Sequence, residues 1–474
     1  MSHPPADRPR DADPPDAGDR NMQILLRHLP PEEIPASEDL YTPTDLDAHL
    51  TALGEPPFSL VAVGDIMLGD HARKALRGGD NDYPFEAVLP LLKSAFIVLG
   101  NLEGPLARKA AKEARNYSYK VNPGLAAALT RARINVLTLA NNHALDCGRD
   151  GVLETLHALA SAGADAIGAG VDRSAAHRPL IRRAGSWRVG LLGYYWNERC
   201  AATADLPGAA MDTSEALKAD IGALRERVDR VVVTFHWGVP YYREPSPENR
   251  AKARFAVDCG ADVVIGHHPH IVQPFEIYHG CPIFYSVGNF TFGSRNSHAE
   301  GLLIAIRFED DATVVSAYPL YVKNRDPRVR YQPKVLRGGA ADRALRRLAN
   351  ISGPTFPGLR IEAGRGTLRL KRSSGVPELA DDLAQRRPLA VHQEAEPEER
   401  GRAADTEIDS RGQARERHRG VPGRNLPGAE ADHHRDRPRQ REPAENARHP
   451  AVRIVHDQHP RDGRRDHQAQ RPDH

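Results

Sequence analysis

The sequence predicts an α/β protein. Short runs rich in Val, Ile and Leu alternate with helix-patterned segments between Pro57 and Leu370, the order that builds sheets covered by helices. Several of these runs end abruptly on polar residues, among them Asp65, Asn101, His236 and His267. With 474 residues the chain has room for one large domain with extensions, or for two domains.

The elements follow in order. "FSLVAVGDIML", from Phe58, reads as a buried strand ending at Gly64-Asp65, and "YPFEAVLPLLKSA" as a helix. "FIVLGNLEGPL" is a second strand that runs into a polar turn. "NPGLAAALTRARI" is helical, with Asn122 as N-cap and Pro123 at the first helical position. "NVLTLANNHALDCG" is a third strand with a polar end, and "GVLETLHALASAG" an amphipathic helix closed by Gly163. "ADAIGAG" and "WRVGLLGYYW" are short strands; "RVVVTFHWG" and "ADVVIGHHPH" repeat the strand-to-polar pattern. "CPIFYSVGNFTFG" and "GLLIAIRFE" read as adjacent strands of one sheet.

Composition narrows the function classes. The formal net charge is +2, so no global field calls for nucleic acid or a membrane surface. Cys147, Cys200, Cys259 and Cys281 form no CxxC pair, which fits reduced thiols in a cytoplasmic protein. No apolar run approaches the roughly 20 residues of a spanning helix, and the polar N-terminus lacks a signal-peptide core. The expected organisation is a disordered segment 1–22, an N-terminal extension 23–56, a main domain 57–310, its C-terminal part 311–372, and a tail 373–474. The tail has few aliphatics and almost no aromatics, too little to offset chain entropy. Its Arg, Pro, Ala, Gly, Asp and His bias suggests a shifted reading frame of a GC-rich gene.

The polar strand ends carry the chemistry. In α/β sheets ligands bind at the carboxyl ends of strands. Asp65, Asn101 with Glu103, Asn142 with His143, His236, and the histidines 267, 268 and 270 all occupy that place. Singly, each has an ordinary explanation: a cap for Asp65, a solvated loop for Glu103, Asx-turns for Asn141 and Asn142, a core position for His236. Together they form a set of oxygen and imidazole donors suited to Mn, Fe, Zn, Co or Ni. His268 and His270 are separated by one residue, so on an extended segment both face one way. Lys120 is a candidate anion-binding cation, against a solvated face, and Asn289, after the bend at Gly288, a candidate for orienting substrate or a histidine.

The blocks "VAVGDIMLGD", "VLGNLEGPL", "LTLANNHALDCGRDG", "VVVTFHWGVPY" and "GADVVIGHHPHIVQPFEIYHGCPIFYSVGNFTFGS" resemble the CapA (poly-γ-glutamate capsule synthesis) family, within the calcineurin-like metallophosphoesterase superfamily. The resemblance runs from Pro57 to Phe308. It implies a four-layer α/β/β/α sandwich with one or two divalent metal ions at a sheet edge. It further implies Asp65, Glu103, Asn142, His236, His268 and His270 as metal ligands, with the choice between His267 and His268 open. The resemblance implies His143 as a catalytic group; His270 is a further catalytic candidate, and Asn101, Lys120 and Asn289 are candidate substrate-binding residues on the reading of the residues themselves. Two positions depart from the superfamily pattern. Met67 stands where a histidine is usual, and Asn101 where a bridging aspartate is usual, with Glu103 available for the carboxylate role.

The implied function is a metal-dependent, hydrolase-like enzyme of poly-γ-glutamate biosynthesis, acting on a peptide or poly-γ-glutamate-type substrate, with a homo-oligomer left open. The alternatives are a metal-dependent peptide epimerase, in which two opposed bases exchange a Cα proton, and a non-catalytic assembly factor.

Overall fold

The structure, a computed structural model, describes residues 32–76, 81–109, 119–295 and 297–371. The expected disordered N-terminal segment and the tail from 373 lie outside these residues. The chain divides into two units, Met1–Ala403 and Ala404–His474, and every described residue belongs to the first.

Eighteen strands are described. They are β1 (Phe58–Met67), β2 (Ala95–Leu102), β3 (Val136–Thr138), β4 (Asp165–Ile167), β5 (Ala169–Gly170), β6 (Leu180–Ala184), β7 (Trp187–Tyr195), β8 (Gly208–Ala209) and β9 (Arg230–His236). After them come β10 (Val263–His267), β11 (Phe275–Tyr278), β12 (Cys281–Phe284), β13 (Asn289–Phe292), β14 (Glu300–Phe308), β15 (Ala312–Tyr321), β16 (Lys334–Val335), β17 (Arg360–Glu362) and β18 (Arg365–Lys371). One sheet runs β17-β18-β15-β14-β1-β2-β3-β4, with β13 also on β1 and β16 on β15; a second runs β11-β12-β10-β9-β7-β6, and β5 pairs β8 in a small third. The pairs β1–β2, β2–β3, β7–β9, β9–β10 and β10–β12 are parallel. Parallel neighbours need long crossovers, and the helices Ala126–Arg131, Gly148–Ala162 and Pro247–Asp258 lie in such connections.

The side-chain alternation of each strand sets the layers. On β1, Leu60 and Ala62 face the second sheet and meet Val189, Leu191, Val232, Val263 and Ile265 across a dry interface. Val61 and Val63 point the opposite way, into a core shared with Leu46, Leu91, Leu129, Val152 and Leu159 from helices. On the outer face of the second sheet, Val231, Val233 and Val264 pack against Leu217, Ile221, Leu224, Ala253 and Ala256 of the helices Ser214–Arg225 and Pro247–Asp258. The result is helix, sheet, sheet, helix: the four-layer sandwich. Among the described residues no helix is long and apolar enough to cross a membrane.

Two expectations about elements are corrected. Residues 83–93 are not one helix: a 3-10 segment Tyr83–Val88 precedes a short α-helix Leu89–Lys93. Pro90 has no N–H for the carbonyl four residues back, so the helix restarts with proline in its first turn. The run "CPIFYSVGNFTFG" is also not confined to one sheet. β12 pairs β10 in the second sheet, whereas β13 pairs β1 in the first. Residues 285–288 carry the chain between them, and Gly288 adopts φ 73°, a left-handed conformation suited to glycine.

Candidate metal centre

The carboxyl ends of both sheets meet at one edge. Asp65 on β1 is in register with Asn101 on β2 and with Asn289 on β13. His267 on β10 is in register with His236 on β9, which lies beside Tyr195 of β7. Two glycines let the 285–288 crossover pass between these rows. A Cβ on Gly64 would sit 1.9 Å from the Gly288 carbonyl oxygen, and one on Gly266 would sit 2.0 Å from that of Tyr285. The glycine ahead of Asp65 and the glycine ahead of His267 thus serve the same purpose, a close backbone approach.

Beyond β10 the chain turns sharply. His268 has φ 98° and His270 φ 57°, so the segment is not extended. The expected shared facing of the two rings through strand alternation is therefore corrected. A turn brings them together, with centroids 5.9 Å apart. Non-glycine residues held at positive φ cost energy and cluster where function demands it.

The side chains form one buried network. Asp65 is fully enclosed; its Oδ1 accepts from the Asn101 amide at 2.8 Å, and its Oδ2 lies 3.1 Å from His270 Nδ1. His270 Nδ1 also donates to Asn289 Oδ1 at 3.0 Å, which turns Nε2 toward Glu103 Oε1, 3.5 Å away. His143 Nε2 lies 3.8 Å from the same oxygen. His236 Nε2 meets Asn142 Oδ1 at 2.8 Å, and its ring stands 4.6 Å from that of His268. His267 approaches Asp65 Oδ1 at 3.4 Å.

Two overlapping groups have donor atoms close enough to share a cation: Glu103 with His268 and His270, and Asp65 with Glu103 and His236. The first group passes a direct test of fit. Glu103 Oε1 and His268 Nδ1 are buried and have no hydrogen-bond partner, an expensive state for polar atoms. Donors bonded to one tetrahedral metal ion at 2.0–2.2 Å stand about 3.4 Å apart, close to the Glu103–His270 separation. A carboxylate and two imidazoles suit Zn, Fe or Mn.

The electrostatics point the same way. Burial pushes the Glu103 carboxyl up to about 7, helped by the Asp65 charge and opposed by His270. Burial works against a charge on His270, yet Glu103 and then Asp65 outweigh it and raise the imidazole to about 9. Burial, and then the His270 charge, lowers His268 to about 3 and keeps its ring neutral. Asp65 stays well below the usual carboxylate range: burial opposes ionisation, but hydrogen bonds from His267 and His270 prevail. In this pattern the positive charge facing the two carboxylates is carried by His270.

The structure brings Asp65, Asn101, Glu103, Asn142, His143, His236, His268, His270 and Asn289 into this one region. Lys120 is half-buried, and its Nζ donates to the Arg108 carbonyl at 3.4 Å. Sequence reasoning does not find Asp146, Tyr119 or Tyr241. Asp146 Oδ2 holds His143 Nδ1 at 2.6 Å and accepts from the Tyr119 backbone N–H at 2.7 Å. The Tyr119 ring lies 4.2 Å from that of His143, and Tyr241 stands 5.7 Å from His270. The His-x-x-Asp spacing of "HALD" is the available signal for Asp146.

Residues 59–294 match the family described as bacterial capsule synthesis protein PGA_cap. The capsule biosynthesis protein CapA of Bacillus anthracis is 32% identical over 282 residues, covering 57% of this chain and 69% of that protein. The PGA biosynthesis protein CapA of Bacillus subtilis (strain 168) is 34% identical over 235 residues, covering 48% and 62%. Among solved structures, the 5'-nucleotidase from Candida albicans SC5314 aligns with a TM-score of 0.34 at 10% identity, over 54% of this chain and 49% of that one. The chain spans about two thirds of the length of the two CapA relatives. With a B. anthracis relative at this identity and coverage, and the matched blocks lining one buried donor cluster, the chain belongs to the CapA-type bacterial capsule synthesis (PGA_cap) family.

Proposed function

We propose that the protein is a metal-dependent enzyme that cleaves poly-γ-glutamate or a related peptide during capsule polymer synthesis. The observation that carries this reading is the pair of buried atoms without a hydrogen-bond partner, Glu103 Oε1 and His268 Nδ1, beside His270. These three residues would hold a divalent ion. When bound, it supplies Lewis acidity toward a carbonyl or phosphoryl oxygen and lowers the pKa of water.

The chain's own residues do the rest. Asp146 fixes the His143 proton on Nδ1 and so presents Nε2 as the base, 3.8 Å from Glu103. Asp65 and Asn289 fix His270 from behind through Nδ1, the arrangement that orients a metal-binding imidazole. Tyr119 keeps its proton, because burial and then the Glu103 charge push the phenol well above its usual value. It therefore remains a donor beside His143.

The test is incubation of the purified full chain with oligo-γ-glutamate in D2O, with and without Mn²⁺. Metal-dependent release of shorter oligomers is expected. Deuterium at Cα without cleavage would instead support peptide epimerisation, and inertness toward both would support an assembly role.

A further inference from the structure

We infer that the centre holds a single ion, and that the Asn101 amide nitrogen fills the position a second ion would take. The inference rests on the metal reading above and concerns the second donor group, Asp65, Glu103 and His236. One side-chain atom of each of the three is already engaged by a single nitrogen. Asn101 Nδ2 lies 2.8 Å from Asp65 Oδ1, 3.3 Å from Glu103 Oε2 and 3.4 Å from His236 Nδ1. An amide NH2 is a donor only and does not ligate a cation.

The orientation of that amide is fixed by the residues behind it. Asn141 Nδ2 donates to the Leu102 carbonyl at 3.0 Å, and Asn141 Oδ1 accepts from the His143 backbone N–H at 3.1 Å. Both partners are backbone, so Asn141 cannot turn over without losing them. Its Nδ2 also donates to Asn101 Oδ1 at 3.1 Å. Rotating Asn101 by half a turn would set its NH2 against the Asn141 NH2 and its oxygen against two carboxylates. Asn101 therefore presents hydrogen, not oxygen, to the centre.

The two groups thus differ in kind. In one, Glu103 Oε1 and His268 Nδ1 lack hydrogen-bond partners; in the other, the opposite oxygen of Glu103 is paired with an amide. Glu103 keeps Oε2 on Asn101 and would leave Oε1 for an ion. The amide, neutral and fully buried, tethers Asp65, Glu103 and His236 with hydrogen bonds.

The experiment counts Mn²⁺ bound to the full chain by equilibrium dialysis and records its electron paramagnetic resonance spectrum. Glu103→Gln serves as the blank, because Glu103 belongs to both groups, and so removes binding by histidines elsewhere in the chain. The wild type is expected to bind one equivalent above the blank and to show an uncoupled Mn²⁺ signal. Asn101→Asp should bind two, with a spin-coupled signal from ions about 3.5–4 Å apart. Two equivalents or a coupled signal in the wild type would overturn the single-ion inference while leaving the metal reading intact. A folded Asn101→Asp protein that still binds one would overturn the role given to the amide. No binding above the blank would overturn the metal reading itself. Should Asn101→Asp fail to fold, the wild-type count and spectrum decide alone.

Discussion

His143 and Asp146 form a closed pair at the edge of the centre, with Nδ1 and Oδ2 2.6 Å apart and both side chains nearly enclosed. The carboxylate is held in turn by the Tyr119 backbone N–H. Removing its charge should loosen the imidazole without touching the ion. Asp146→Asn is expected to lower kcat by roughly 10–100-fold, the usual effect of losing an orienting partner, with metal content unchanged. His143→Ala should behave the same way more severely. Metal analysis beside a turnover assay checks both, and equal metal loss in either would remove His143 from the role of base.

Glu103 and His268 are expected to behave differently. Glu103→Gln and His268→Ala should abolish tight Mn²⁺ binding. In the wild type, Mn²⁺ at a hundredfold excess over its Kd should add about 2.7 kcal/mol of stability. The two variants should show no such rise, which thermal melts with and without Mn²⁺ measure.

His298, which belongs to neither donor group, gives a separate pH dependence. Burial lowers its imidazole from 6.5 to about 4, with Glu300 opposing the shift. Between those values the unfolded chain binds a proton that the folded chain does not. Stability is therefore full above pH 6.5 and falls as the pH drops toward 4, by at most about 3 kcal/mol at 1.36 kcal/mol per unit. His298→Asn keeps an acceptor for the Glu300 backbone N–H, which the His298 ring now accepts at 3.3 Å. This variant should flatten that part of the profile in urea titrations at a series of pH values.

Gly266 and Gly222 make a paired test of packing. A methyl group at Gly266 would meet the Tyr285 carbonyl and Trp237 Nε1, which donates to that carbonyl at 2.9 Å. Gly266→Ala should cost about 2–3 kcal/mol and impair metal uptake. Gly222 lies inside the helix Ser214–Arg225, with open space where a methyl group would stand. Gly222→Ala should stabilise by about 0.5–1 kcal/mol. Melting temperatures of the two variants moving in the same direction would contradict this account.

The succession of strands along the chain and their polar ends are legible in the sequence because both are local signals: an apolar run, then a donor. Asp65, His236 and His270 can be found this way. The interruption at Pro90 is equally local, since proline marks it, although the apolar pattern of residues 83–93 reads through it as one helix. The split of "CPIFYSVGNFTFG" is not legible, since a buried strand has the same composition in either sheet. Nor is the turn at His268 and His270, because histidine carries no mark of positive φ. The orientation of the Asn101 amide depends on backbone atoms of residues 102 and 143, contacts that exist only once β2 and the loop after β3 are side by side.

The 285–288 crossover has a mechanical meaning. Glu103 belongs to the end of one sheet, and His268 and His270 to the loop leaving the other, so the gap between them measures how far one sheet has slid over its neighbour. The crossover, threaded past Gly64 and Gly266, is a short strap across that seam, and it delivers Asn289 to His270. Shear of the sandwich would spoil the donor spacing while leaving the hydrogen bonds within each sheet whole. An ion seated there would act as a rivet through both plates, with the apolar interface keeping the holes aligned before the rivet arrives.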